Sequence, residues 1–205
     1  MEKATFDFGS GPVPAHQHAN GGGWVAETAY VADTAFVGSE ARVYDEAQVC
    51  DNAQVCDNAR VCGEAWVYGE ALVCDNAQVC GNAQVCGNAL VCDNALVCDK
   101  AQVYGNAQVY GNAQVCDKAR VYGEARVCDK ARVTTTPLVI SGLEYAVTVC
   151  DNQVQIGCKT VPATTQLSAD LLPDETCPVL RACAHTLIPL IQAHYARVQA
   201  EARHD

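Results

Sequence analysis

"ALVCDNAQVCGNAQVCGNALVCDNALVCDKAQV" spans Ala71–Val103 and repeats one six-residue phrase: Ala, a variable residue, Val, usually Cys, then Asp or Gly, then usually Asn. A period of six is not helical. Ala and Val, two apart, lie on the same side of an extended strand, and the residues flanking Val point the other way. The Asp/Gly-Asn pair is turn chemistry, because Gly, Asn and Asp enter the left-handed backbone region at low cost. Each hexad is therefore predicted to be a short strand followed by a corner. Val and the small Ala sit inside; the Gln, Arg or Leu before Val and the Cys or Tyr after it sit outside.

Working outward, valine recurs at every sixth position from Val25 to Val133, which makes 19 repeats, and alanine stands two residues before each valine except at Gly23. Val139 keeps the phase, but Pro137 takes the place of alanine. A fixed period of this kind decides the architecture before any other feature is weighed.

The phrases "VCGNAQ" and "VYGNAQ" resemble the hexapeptide repeats of left-handed β-helices, and most of all the A-x-V-x-G-N repeat proteins of bacteria and phages. The resemblance covers residues 23–139 and implies a left-handed parallel β-helix, with three hexads per 18-residue coil and about six coils. Cys or Tyr after Val departs from the small or polar residue usual in that superfamily. At a strand spacing of roughly 4.8 Å the rod would be about 30 Å long. Its ends would be open edges that need caps.

Stacking at 18 residues sorts the outer positions into columns. One column after Val reads Gly38, Cys56, Cys74, Cys92, Tyr110, Cys128; a second reads Tyr44, Cys62, Cys80, Cys98, Cys116; a third mixes Cys50, Tyr68, Cys86, Tyr104, Tyr122. Beside the first runs an acidic corner, Asp57, Asp75, Asp93, then Gly111 and Asp129, and next to it Asn58, Asn76, Asn94 and Asn112, whose amides are expected to hydrogen-bond along the rod.

Residues 1–22, rich in Gly, Pro and His, read as a leader or cap over the first coil. Residues 140–205 read as a cap or oligomerisation module. There Tyr145–Cys158 is predicted to form a hairpin turning at Asp151-Asn152, with Val149 opposite Val154 and Val147 opposite Ile156. A helix follows, with Thr176 as N-cap, Pro178 in its first turn, an apolar stripe Leu180, Cys183, Leu187, Ile191, His194, Val198, and a kink at Pro189.

The chain has 205 residues and a net charge of −11. That balance disfavours direct contact with nucleic acid or anionic membrane, which requires clustered Lys and Arg. No apolar run has the length of a membrane span, and the N-terminus lacks the apolar core of a signal peptide. A cytoplasmic location is expected, with the 14 cysteines as thiols.

Acyltransferases of the resembled superfamily place a catalytic histidine at a subunit cleft, and carbonic anhydrases of that fold bind zinc through three histidines. Here no histidine lies between residues 24 and 133; His16, His18, His185, His194 and His204 all fall outside. No catalytic residue and no cofactor are expected, and an acyltransferase-like homotrimer is the alternative reading. The cysteine columns raise soft-metal binding as a further alternative, through Cys56, Cys74 and Cys92 or Cys62, Cys80 and Cys98. A straight column offers two or three ligands where zinc takes four, so these cysteines are read as small semi-apolar fillers. Asp in the corner is read as turn chemistry and not as a calcium loop. The Thr-x-Thr ladders of ice-binding solenoids are missing.

Charge carries the functional expectation. From Val25 to Cys98 there are 11 acids and two bases, net −9; from Asp99 to Val133 there are four acids and six bases, net +2. A thin acidic rod can imitate duplex DNA, a strategy known for pentapeptide-repeat solenoids. The expectation is a non-enzymatic scaffold whose partner is a protein. In its sharper form it is a phage or mobile-element inhibitor that occupies a nucleic-acid-binding host protein through Asp57, Asp75, Asp93, Asn58, Asn76 and Asn94, with homo-oligomerisation through the C-terminal module.

Overall fold

Nineteen strands of two or three residues, β3 (Trp24–Ala26) to β21 (Arg132–Val133), follow one another at six-residue intervals. In the computed structural model the described residues are 4–141, 146–156, 159–162, 188–197 and 200. Each strand pairs in parallel with the strand three further along: Val43 lies beside Val25 and Val61, Val67 beside Val49 and Val85, Val73 beside Val55 and Val91. The result is a β-solenoid of about six three-sided coils, in register throughout.

The side-chain period produces this shape directly. Every repeat valine from Val37 to Val133 is fully buried, and every repeat alanine from Ala35 to Ala131 is at most 1% exposed. The core is therefore one continuous column of Val and Ala. Alanine supports it because a three-sided coil leaves room for only one branched side chain per side. Gly23 breaks the alanine column for a local reason: its N–H bonds Val37 O at 2.9 Å, and a Cβ there would collide with the carbonyl of Gly38 and the side chain of Val37.

Corners form where the first residue after the Cys/Tyr position takes a positive φ. Asp does so at Asp45, Asp51, Asp57, Asp75, Asp93, Asp99, Asp117 and Asp129, with φ between 55° and 59°, and Gly does so at Gly63, Gly69, Gly81, Gly87, Gly105, Gly111 and Gly123. The alternation of Asp and Gly in the sequence is thus a backbone requirement at one position of the corner.

The N-terminal segment is more regular than its Gly/Pro/His composition indicates. β1 (Thr5–Asp7) and β2 (Pro12–Gln17) form an antiparallel pair, and β2 lies antiparallel on β3, extending one side of the solenoid to nine strands. Phe6 stacks on Trp24 at 4.6 Å, Phe8 stacks on Tyr44 at 5.0 Å, and Arg42 lies over the Phe6 ring. Tyr44 stands at the head of a cysteine column because it meets this aromatic cover.

At the other end the parallel stack stops at β21. Val139 keeps the sequence phase but has left the coil: β22 (Leu138–Ile140) pairs antiparallel with β23 (Val147–Val149). The expected hairpin forms in the expected register, Val147 opposite Ile156 and Val149 opposite Val154, between β23 and β24 (Gln153–Ile156). It belongs, however, to a four-stranded sheet completed by β22 and β25 (Lys159–Pro162). A helix over 188–197 packs Ile188, Ile191 and Tyr195 on the apolar face of this sheet. Pro189 falls in the first turn described, and His194 is buried. Thr176, Pro178, Leu180, Cys183, Leu187 and Val198 lie outside the described residues.

The hairpin's other face is polar, and it closes the open edge of the last coil. Arg126 N donates to Thr148 Oγ1 at 3.2 Å, Gln153 Nε2 donates to Cys128 O at 2.9 Å, and Arg132 N donates to Asn152 Oδ1 at 2.8 Å. Asn152 Nδ2 also donates to Lys130 O at 2.8 Å, and Asp151 N donates to Arg132 O at 3.0 Å. The hairpin thus supplies partners to the backbone of the last coil, which has no further coil beyond it.

Candidate functional site

The acidic corner is built by the fold and also helps to build it. Asp57 Oδ2 accepts the backbone N–H of Asp75 at 3.3 Å, Asp75 Oδ2 that of Asp93 at 3.2 Å, and Asp93 Oδ2 that of Gly111 at 2.8 Å. The other corners repeat the device from Asp45 to Gly63, Asp51 to Gly69 and Asp99 to Asp117. A left-handed residue turns its amide along the rod, and a carboxylate one coil earlier receives it. The aspartates therefore have a structural reason beyond turn preference. They remain exposed and carry their charge at the surface.

The asparagine ladder does not form as expected. Among the described residues, no side-chain hydrogen bond joins Asn58, Asn76, Asn94 and Asn112. Their column is held by backbone bonds, Asn76 N to Asp93 O and Asn94 N to Gly111 O, both 2.8 Å. Side-chain amides link coils on the other two corners: Asn88 Nδ2 donates to Asn106 Oδ1 at 3.3 Å, Asn106 Nδ2 to Glu124 at 2.7 Å, and Asn82 Nδ2 to Glu64 at 2.8 Å. Two of these three bonds end on a glutamate carboxylate.

The cysteines after the repeat valines are half-buried, except Cys128, which is buried. Stacking brings thiols of successive coils together and sets a carboxylate beside them. The ligand atoms of Cys56, Asp57 and Cys74 lie within 4.8 Å of one another, as do those of Cys74, Asp75 and Cys92, and of Cys98, Asp99 and Cys116. Cys74 Sγ is 3.6 Å from Asp75 Oδ2, and Cys98 Sγ is 3.4 Å from Asp99 Oδ2. Burial and then the charge of Asp57 push the Cys56 thiol up to about 11. Burial, followed by the neighbouring Cys56 and Cys92, raises Cys74 as well. In the second column Cys62 goes the other way. The Cys80 S–H donates to its sulfur and brings it down to about 7, against an opposing contribution from burial. Cys62 and Cys80 have no carboxylate between them, since Gly63 and Gly81 occupy that corner.

The acidic half of the rod is not neutralised from within. Among the described residues the only ion pair is His16 Nδ1 with Glu27, at 3.0 Å, in the N-terminal cover. His18 is buried, its Nδ1 at 3.2 Å from Asn20 O, and His194 is buried in the C-terminal module. His185 and His204 lie outside the described residues. Among those residues, no helix is long and apolar enough to cross a membrane.

Three segments of the chain, residues 53–69, 83–99 and 101–117, match a family model described as the YdcK beta solenoid repeat. All three lie within the coiled region and together make up less than half of the chain, and they support a β-helix repeat protein. No curated protein and no solved structure matches the chain.

Proposed function

We propose that this chain is a non-enzymatic scaffold of the left-handed hexapeptide-repeat type, whose acidic half engages a basic, nucleic-acid-binding protein partner. The observation that carries the reading is the unpaired acidic surface between Val25 and Cys98. Its 11 acids meet only two bases, and within the described residues only Glu27 among them is in an ion pair. That stretch occupies about four coils, or roughly 20 Å of rod at about 4.8 Å per coil. Its acids are thus spaced by about 2 Å along the axis, close to the roughly 1.7 Å per phosphate of duplex DNA. The rigid Val/Ala core holds these charges at fixed positions, so binding would not have to order a flexible chain.

Asp57, Asp75 and Asp93 are the residues to test. Changing all three to Asn keeps an oxygen that can accept the next coil's amide and keeps a residue tolerant of positive φ, while removing three charges. The variant is expected to melt with the native protein and to retain less partner from a host lysate, with slower association and a weaker dependence on salt. Capture that is unaffected by either the substitutions or salt would refute charge mimicry.

A further inference from the structure

Each outer position after Val accepts Cys, Tyr or Gly without change of backbone: Gly38, Cys56, Cys74, Cys92, Tyr110 and Cys128 stack in one column. Space therefore does not dictate cysteine there. What the first two columns share is cysteine in successive coils, three in a row from Cys56 and four in a row from Cys62. The third column shows the contrast. Cys86 has Tyr68 one coil before it and Tyr104 one coil after, so its thiol has no thiol neighbour along the column.

We propose that the thiol pairs Cys56–Cys74, Cys74–Cys92 and Cys98–Cys116 are binding sites for cuprous ions, each ion bridging two successive coils beside Asp57, Asp75 or Asp99. Geometry selects the ion. The paired sulfurs lie within 4.8 Å of each other, close enough for one soft ion to touch both. A straight column presents ligands two at a time, which suits a soft ion content with two thiolates. Zinc needs four ligands in a tetrahedron, and the corner offers two sulfurs and one carboxylate. The carboxylate attracts the cation, and the sulfurs provide the selectivity. At Cys98–Cys116 one cuprous ion replaces two thiol protons, and along Cys56, Cys74 and Cys92 two ions replace three; the protons leave to solvent, and no electron is transferred. Cys74 is shared, so the first column forms a short linear array.

The test is an anaerobic titration of the reduced full-length chain with cuprous ion, against a chromophoric copper chelator, with thermal unfolding followed at each loading. Bridging between coils should raise the melting temperature, because an ion held by the native ladder stabilises it by mass action. Cys74→Ser should lower the tightly held copper by two ions, and Cys86→Ser should lower it by none. Cys92→Ser and Cys116→Ser should each remove one ion, and they keep the test valid if Cys74→Ser does not fold. Equal losses from Cys74→Ser and Cys86→Ser would overturn the ladder. So would a melting temperature that falls on loading, which means that copper prefers the thiols of the unfolded chain. Displacement of the bound copper by equimolar zinc would overturn the choice of ion.

Discussion

The carboxylate of Asp75 accepts the backbone N–H of Asp93 at 3.2 Å, one coil further along the rod. Both residues sit at positive φ, 58° and 59°. An L-residue other than Asn or Asp loses roughly 1–2 kcal/mol in that region, and a lost hydrogen bond costs about 1 kcal/mol. Asp75→Ala should therefore destabilise the solenoid by about 2 kcal/mol. Asp75→Gly keeps the backbone freedom and loses only the acceptor, so about 1 kcal/mol is expected. Asp75→Asn keeps both and should stay near the native value. Urea midpoints of the three variants would check the order, and Ala equal to Gly would remove the backbone part of the explanation.

Val79 is fully buried in mid-rod, beside Val61 and Val97 on the adjoining coils. Val79→Asp would place a carboxylate where every neighbour is Val or Ala, with no donor to receive it, and burying such a group costs several kcal/mol. Because each coil rests on the next, the defect should split the rod and not merely loosen one side chain. The expected result is loss of the cooperative melt, read by circular dichroism. A native-like melt would mean that valine does not face inward.

The solenoid was legible in the sequence because its two determinants, an inward Val/Ala pair and a corner residue tolerant of positive φ, recur at every sixth position. Part of what the sequence did not disclose depends on neighbours 18 or more residues away. Asp57, Asp75 and Asp93 could be placed on one corner, but the bonds from their carboxylates to the next coil's amides require the direction of those amides. The amide ladder was expected at Asn58, Asn76, Asn94 and Asn112, and side-chain amide bonds form at Asn88 and Asn106, where a Glu124 acceptor follows. β1 and β2 were hidden because the Gly, Pro and His of residues 1–22 read as a leader or cap; proline is tolerated at a strand's start or on its unpaired side. Val139 kept the phase, yet Pro137 and the antiparallel pairing with β23 took it out of the coil. The cap was half legible: the apolar alternation of the hairpin showed the face that receives the helix, while Thr148, Asn152 and Gln153 gave no sign that they complete a ladder.

Asn152 is the clearest residue on which to test the cap, since it accepts from Arg132 N and donates to Lys130 O. It is exposed, so Asn152→Ala leaves packing intact and removes both bonds. The expected loss is about 1–2 kcal/mol, concentrated at the last coil. Amide hydrogen exchange should quicken at Arg132 and stay unchanged at Gln78 in mid-rod. Uniform quickening along the chain would show that Asn152 matters to global stability and not to the end alone.

The thiols of the two cysteine columns should differ in reactivity at neutral pH. Only the thiolate is a strong nucleophile. Cys62, which receives the Cys80 S–H and is further favoured by Tyr44 and Arg60, titrates at about 7, whereas burial and Asp57 hold Cys56 up to about 11. A lowered value means that the thiolate of Cys62 accumulates as pH rises through 7 and is nearly complete by about pH 8. Its alkylation rate should climb below pH 7 and flatten above pH 8. The rate at Cys56 should keep rising about tenfold per unit through the same range, because its thiolate fraction is still small there. Iodoacetamide labelling read by peptide mass spectrometry at pH 6, 7, 8 and 9 separates the two profiles. Cys80→Ala removes the donor, so Cys62 should move up toward an ordinary thiol and its plateau should disappear from this range. If Cys62 and Cys56 label with the same pH profile in the native chain, the contact between Cys62 and Cys80 does not set the reactivity of this column.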